Sequence, residues 1–145
     1  MKRLWVLGVS IALLGAWLPV SAHHSVAAEY DRSKPVTLAG KLTKVEVVNP
    51  HGWLSIEAHN SEGKVETWGI ELPGPASLRR NGYDPSIFET LMTSGEAVTL
   101  SAYPAKDGSK HALGGSLTRA DGRTVIPLGG RGGFGFDRGQ GQGSL

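Results

Sequence analysis

Apolar and polar positions alternate through most of the middle of the chain. Val36 to Val48 reads VTLAGKLTKVEVV, with Val36, Leu38, Gly40 and Leu42 on one parity and Val45 and Val47 on the other. A period of two with one slip predicts a long strand carrying a bulge near Thr43-Lys44. Asn49-Pro50-His51-Gly52 predicts a turn, because Pro and Gly interrupt regular structure. In Trp53 to His59, Leu54, Ile56 and Ala58 face one way and Ser55, Glu57 and His59 the other. Asn60 to Gly63 turns the chain. Lys64 to Leu72 then alternates again, with Trp68, Ile70 and Leu72 on one face, so the second and third strands form a hairpin.

The period changes after Leu72. Pro73-Gly74-Pro75 breaks the sheet, and Ala76 to Arg80 suits a helical turn stopped by Asn81-Gly82. Asp84 is placed to cap a helix with Pro85 at its first position. Ile87, Phe88, Leu91 and Met92 recur at helical spacing, and Gly95 ends the element. Glu96 to Tyr103 reads as a fourth strand with Val98, Leu100 and Ala102 inward. The loop Ala105 to Lys110 leads to a glycine-weakened fifth strand, His111 to Arg119. Asp121-Gly122 turns into a short closing strand, Thr124-Val125-Ile126. Three strands, a helix and then two or three strands predict a mainly β fold. A long bulged first strand and a helix between strands 3 and 4 fit a small OB-like barrel of five to six strands. The competing architecture is a small open α+β sandwich.

The chain ends differ from this core. Met1-Lys2-Arg3 is followed by an uncharged run, Leu4 to Val20, and by the small residues Ser21 and Ala22. This is the pattern of a signal peptide cleaved after Ala22, which predicts a periplasmic or secreted protein. The alternative is a retained anchor, but the run is short for a span of roughly 20 residues and contains Gly8, Gly15 and Pro19. The predicted organisation is a signal peptide over 1–22, an extended N-terminal segment over 23–35, a barrel over 36–128 and a disordered Gly-rich tail over 129–145. Loss of Lys2 and Arg3 from fifteen basic residues leaves thirteen, equal to the thirteen acidic ones. The mature chain has no global charge signal for nucleic acid, and the two arginines in its tail do not supply one. The sequence has no cysteine. Disulfides, thiol chemistry, cysteine-ligated zinc and a lipid-bearing cysteine are all excluded.

Several short motifs occur in a recurring order: His23-His24-Ser25 directly after the leader, Asn49-Pro50-His51-Gly52-Trp53, Leu78-Arg79-Arg80-Asn81-Gly82, and Tyr103 to Ser109. In this series the chain resembles a family of exported bacterial proteins known only as a domain of unknown function. The resemblance implies a secreted, small β-barrel and supplies no activity.

The histidines carry the sharpest chemistry. Cleavage after Ala22 would give His23 both a free α-amine and an imidazole, a nitrogen chelate suited to Cu(II), with His24 adjacent. In an OB-like barrel the loops holding His51 and His111 lie at the binding end. The eleven residues Ser25 to Pro35, at about 3.3 Å each, can reach across a small barrel. The candidate metal set is therefore His23, His24, His51 and His111, with Glu29 and Asp31 as further donors. Cu(II) is expected ahead of Zn(II) because thiolates are lacking. His59 alternates with Ser55 and Glu57 and reads as a solvated strand-end residue.

A binding module without metal is the alternative. Trp53 and Tyr103 flank the same two loops and could stack on an oligosaccharide, a peptide or a protein partner from the cell envelope. Arg79 and Arg80 add a local positive patch. No enzyme is expected: there is no Gly-x-Ser-x-Gly elbow and no phosphate-cradling loop before a helix. The carboxylates Glu57, Glu66 and Glu71 read as a charged, solvated outer face.

Overall fold

The computed structural model describes residues 26–126. The leader, His23, His24 and the Gly-rich tail lie outside these residues. The described chain forms α1 (Val26–Glu29), β1 (Val36–Val47), β2 (His51–His59), β3 (Val65–Pro73), α2 (Pro75–Arg80), α3 (Ser86–Ser94), β4 (Ala97–Pro104), β5 (His111–Arg119) and β6 (Thr124–Ile126). Strands run in the order β3-β2-β1-β4-β5-β6, and a β3–β5 pairing closes the first five into a barrel. That pairing is parallel, from Gly69–His111 to Glu71–Leu113, and it decides for a barrel over an open sandwich.

The long first strand serves both halves of the barrel. Val36 to Lys41 pairs with β4, and Gly40 to Val47 pairs with β2. The register slips between Leu42 and Lys44, so Thr43 is the predicted bulge. The sharing of Gly40 explains its lack of a side chain. A Cβ there would lie 1.8 Å from the Glu57 carbonyl oxygen.

Alternation places Leu54, Ile56, Ala58, Ile70, Leu72, Val98, Leu100, Ala102, Ala112 and Leu117 inside, all buried. Burial of this kind contributes roughly 1.5–3 kcal/mol for each large aliphatic side chain. Helix α3 packs against β1 and closes the barrel with Phe88 and Leu91. Gly95 ends it in the left-handed region at φ +63°, and its N–H donates to the Met92 carbonyl at 3.1 Å. At the other end α3 is bounded at Ser86, but Pro85 already has helical dihedrals, φ −60° and ψ −22°, as expected for the first helical position after an Asp84 cap. Asp84 Oδ1 accepts the Ser86 N–H at 3.0 Å.

The described part of the segment before β1 begins with a helical turn before it runs on to β1. After the single turn of α1, Tyr30 forms an antiparallel bridge with Ala105. Asp31 N–H donates to the Pro104 carbonyl at 2.8 Å, and Lys106 N–H donates to the Glu29 carbonyl at 2.9 Å. The Lys106 ammonium adds a bond to the Ala27 carbonyl at 2.7 Å. Tyr30 is 2% exposed. The segment has no period of its own because it is held by the end of β4 and the β4–β5 loop.

Candidate functional site

Four residues stand in register across the outer face of the barrel. Trp53 on β2 is opposite Glu71 on β3, Glu71 is beside Leu113 on β5, and Leu113 is opposite Tyr103 on β4. Their inward neighbours Leu54, Ile70, Ala112 and Ala102 belong to the core. An outer-face row should be solvated, yet Leu113 is 1% exposed and Glu71 6%. At Glu71 the cover includes Tyr30, itself 2% exposed and hydrogen-bonded to the carboxylate. Glu71 is the one buried charged side chain among the described residues. The expectation of a solvated carboxylate face is therefore corrected at this position, and part of the reason is Tyr30, supplied from 41 residues earlier in the chain.

A buried carboxylate is costly unless its oxygens are hydrogen-bonded. Glu71 divides them between two partners. Tyr30 Oη donates to Oε2 at 2.5 Å, and Oε1 receives His51 Nδ1. An ionised carboxylate only accepts, so Nδ1 carries the proton, and in the neutral ring Nε2 holds the electron pair. The His51 side chain is 40% exposed while that of Glu71 is 8% exposed. The carboxylate is thus interior and the imidazole borders solvent. Burial, with the Glu71 hydrogen bond second and its charge third, pushes the Tyr30 phenol far above its ordinary range.

Local structure holds His51 in place. The turn before it contains a cis Asn49–Pro50 peptide. Gly74 N–H donates to the Pro50 carbonyl at 3.0 Å, and a Cβ on Gly74 would lie 2.5 Å from that oxygen. His51 itself begins β2 opposite Pro73, so it is part of the strand and not of the predicted turn.

The other candidates lie around this centre. His111 begins β5 opposite Gly69, in the row beside Glu71. Its ring lies over Gly69, where a Cβ would come within 2.6 Å of His111 Cδ2. It also meets Trp53 edge-on, with centroids 6.0 Å apart and planes at 66°. Trp53 is 37% exposed. Tyr103 is half-buried, with the Arg32 guanidinium 5.9 Å from its ring centroid. Asp31 directs Oδ1 to Ser33, accepting from its N–H at 3.0 Å and its Oγ at 2.6 Å. That hydrogen bonding holds the Asp31 carboxyl below its usual range. His59 is exposed, and its Nδ1 bonds the Gly63 carbonyl at 3.1 Å. Arg79 and Arg80 are exposed at the last turn of α2.

Among the described residues, no three His, Asp or Glu side chains are gathered closely enough to hold a metal ion. The fold brings His51, Trp53, His111 and Tyr103 to one face, around a carboxylate and a phenol that sequence reasoning passed over. Tyr30 had one signal, a solitary aromatic in a polar segment. Glu71 had another, a charge between Ile70 and Leu72 directly before the break at Pro73.

Comparison with known proteins gives one match. The family described as "Family of unknown function (DUF6152)" matches residues 12–115. No curated protein and no solved structure matches the chain.

Proposed function

Because the chain belongs to this family of unknown function, we propose from its site that it is an exported binding protein that takes a metal ion, Cu(II) ahead of Zn(II), at His51. One observation carries the reading: a buried carboxylate, Glu71, receives the Nδ1 proton of a half-exposed imidazole. Ligating histidines commonly give their other ring proton to a carboxylate, which fixes the tautomer and makes the ligating nitrogen more basic. The remaining ligands would come from the mature N-terminus. Val26 is four residues from the docked Tyr30. Three more residues at about 3.3 Å each separate His23 from Val26, which would give the terminus about 10 Å of reach beyond α1. Export is supported by the leader pattern.

Native mass spectrometry of the exported protein, titrated with Cu(II) and Zn(II), tests this. A chain beginning at His23 should hold one copper, lost in His51→Ala and kept in His59→Ala. A copper count that His51→Ala leaves unchanged would overturn it.

The second reading is recognition of a cell-envelope oligosaccharide, peptide or protein without metal. It is favoured by Trp53, partly exposed and edge-on to His111. Tyr103 enters that reading only with Arg32 displaced from its ring. Trp53→Phe should then weaken binding of an envelope extract component while leaving thermal stability unchanged.

A further inference from the structure

We infer that the outer face at Trp53 seats the ammonium or guanidinium group of a basic peptide presented by a partner protein. This rests on the second reading above, recognition without metal, and needs no ion at His51. Register supplies the geometry. Trp53 on β2 is opposite Glu46 on β1 and opposite Glu71 on β3, so a carboxylate stands on each side of the indole on one face. Directly opposite side chains in a sheet start about 5 Å apart. Trp53 is 37% exposed, and Val48, two positions after Glu46, is exposed as well.

The two carboxylates act differently. Glu71 has its oxygens engaged by Tyr30 and His51, so it contributes its field and not a contact. Its burial keeps that field poorly screened. Glu46 is exposed and holds the Lys44 ammonium at 2.8 Å. Exposed pairs of that kind contribute little, so the carboxylate can exchange Lys44 for a ligand cation at small cost.

The same chain fills comparable seats with its own cations. The Lys110 ammonium lies 4.9 Å from the Trp68 ring centroid and 2.8 Å from a Glu66 oxygen. The Arg32 guanidinium lies 5.9 Å from the Tyr103 centroid. Among the described residues no Lys or Arg lies over Trp53, whose ring meets His111 edge-on. Indole attracts a cation more strongly than the other aromatic rings do. The methylene stem of a Lys or Arg side chain can lie along apolar surface while its charged head stays at the carboxylates. A neutral sugar could stack on the ring but would gain nothing from the charge of Glu71, whose oxygens are already engaged.

The test is an NMR titration of the isotope-labelled full chain. The probes are the blocked tripeptides Gly-Arg-Gly and Gly-Lys-Gly, the ε-acetyl-lysine form of the latter, and neutral maltotriose. The basic peptides should move the Trp53 indole N–H and the Glu46 and Val48 amides saturably, and added salt should weaken the effect. Trp53→Leu, followed at the two amides, should weaken binding about 2- to 5-fold, the worth of an exposed cation–π contact. Glu46→Gln should weaken it about 1.5- to 5-fold, as for an exposed ion pair. An equal response to the acetylated peptide, or unchanged affinity in both variants, would overturn the inference. So would a response to maltotriose alone, which would leave recognition at Trp53 standing. Shifts that appear only when Arg131→Gln and Arg138→Gln are combined would mean that the chain's own arginines hold the seat, and would overturn a partner as its occupant. No response to any probe would remove recognition at Trp53 itself, and this inference with it.

Discussion

Tyr30 and Glu71 are 41 positions apart in sequence, and the phenol donates to the carboxylate at 2.5 Å in a buried setting. Neither group would be stable there alone. An unpartnered buried carboxylate and an unpartnered buried hydroxyl each cost free energy, and the bond satisfies both. The contact also joins the N-terminal segment to the barrel, so it bears on stability as well as on the site.

Tyr30→Phe should therefore destabilise the fold by about 1–3 kcal/mol, the range for leaving a buried acceptor short of a donor. The loss should also depend on pH. The folded-state phenol is raised above its ordinary value of 10.0. Below about pH 10 the phenol is protonated in both folded and unfolded chains, so its contribution is fully present. Above that pH the unfolded chain releases the proton and the folded chain retains it. The unfolded state then binds fewer protons, and stability falls as pH rises. Urea unfolding at pH 8, 10 and 11 should show a decline in the wild type that is shallower in Tyr30→Phe. Equal slopes would mean that Tyr30 titrates normally in the fold.

The strands were legible because their signals are local. Period-two alternation located β2, β3, β4 and β5 within two residues, and the slip after Leu42 located the bulge at Thr43. Gly95 and the Asp121-Gly122 turn were equally legible, since left-handed and tight-turn positions select their residues. Alternation also put Glu71 on the correct face, outward from Ile70 and Leu72. It could not indicate that Glu71 is covered there. Part of the cover is Tyr30, in a segment whose residues carry no period, held by backbone bonds to Pro104 and Lys106. The pairing of His51 with Glu71 is likewise a product of strand register, twenty positions apart, and of the turn that brings β2 beside β3.

Gly40→Ala should be among the most damaging single substitutions. Its Cβ would sit 1.8 Å from a backbone oxygen on β2, where no rotamer change gives relief. Either the β1–β2 or the β1–β4 ladder must open, and a cost of about 4 kcal/mol or more follows. Gly63→Ala is the comparison. It has no atom within 4 Å but a φ of +76°, so it should lose only about 1–2 kcal/mol from backbone strain. Denaturant midpoints for the two variants should differ widely. Similar midpoints would mean that β1 is not shared tightly at Gly40.

Gly69→Ala separates packing at the site from stability of the barrel. The atom its Cβ would strike is Cδ2 of His111, at 2.6 Å, part of a side chain that can rotate away. The imidazole should leave its place over β3 and with it the edge-on contact to Trp53. Aromatic contacts of this kind contribute about 0.5–1.5 kcal/mol, so the fold should survive with a small loss. Trp53 emission should shift as the ring loses its neighbour. If emission is unchanged, His111 does not rest on Gly69 in solution.

Trp53 also distinguishes the two functional readings. It stands two residues from His51 on the same strand and the same outer face, opposite Glu71. A Cu(II) ion bound at His51 would be close enough to quench the indole by short-range electron or energy transfer. Copper should thus quench emission saturably in the wild type and fail to do so in His51→Ala. Trp53→Phe should abolish most of the quenching while leaving copper affinity unchanged, since the indole is a bystander in the metal reading. If Trp53→Phe instead leaves copper quenching of the remaining Trp68 emission intact, the ion binds elsewhere. If copper does not quench at all and an envelope ligand does, the exposed indole is a contact residue and recognition without metal is the better account.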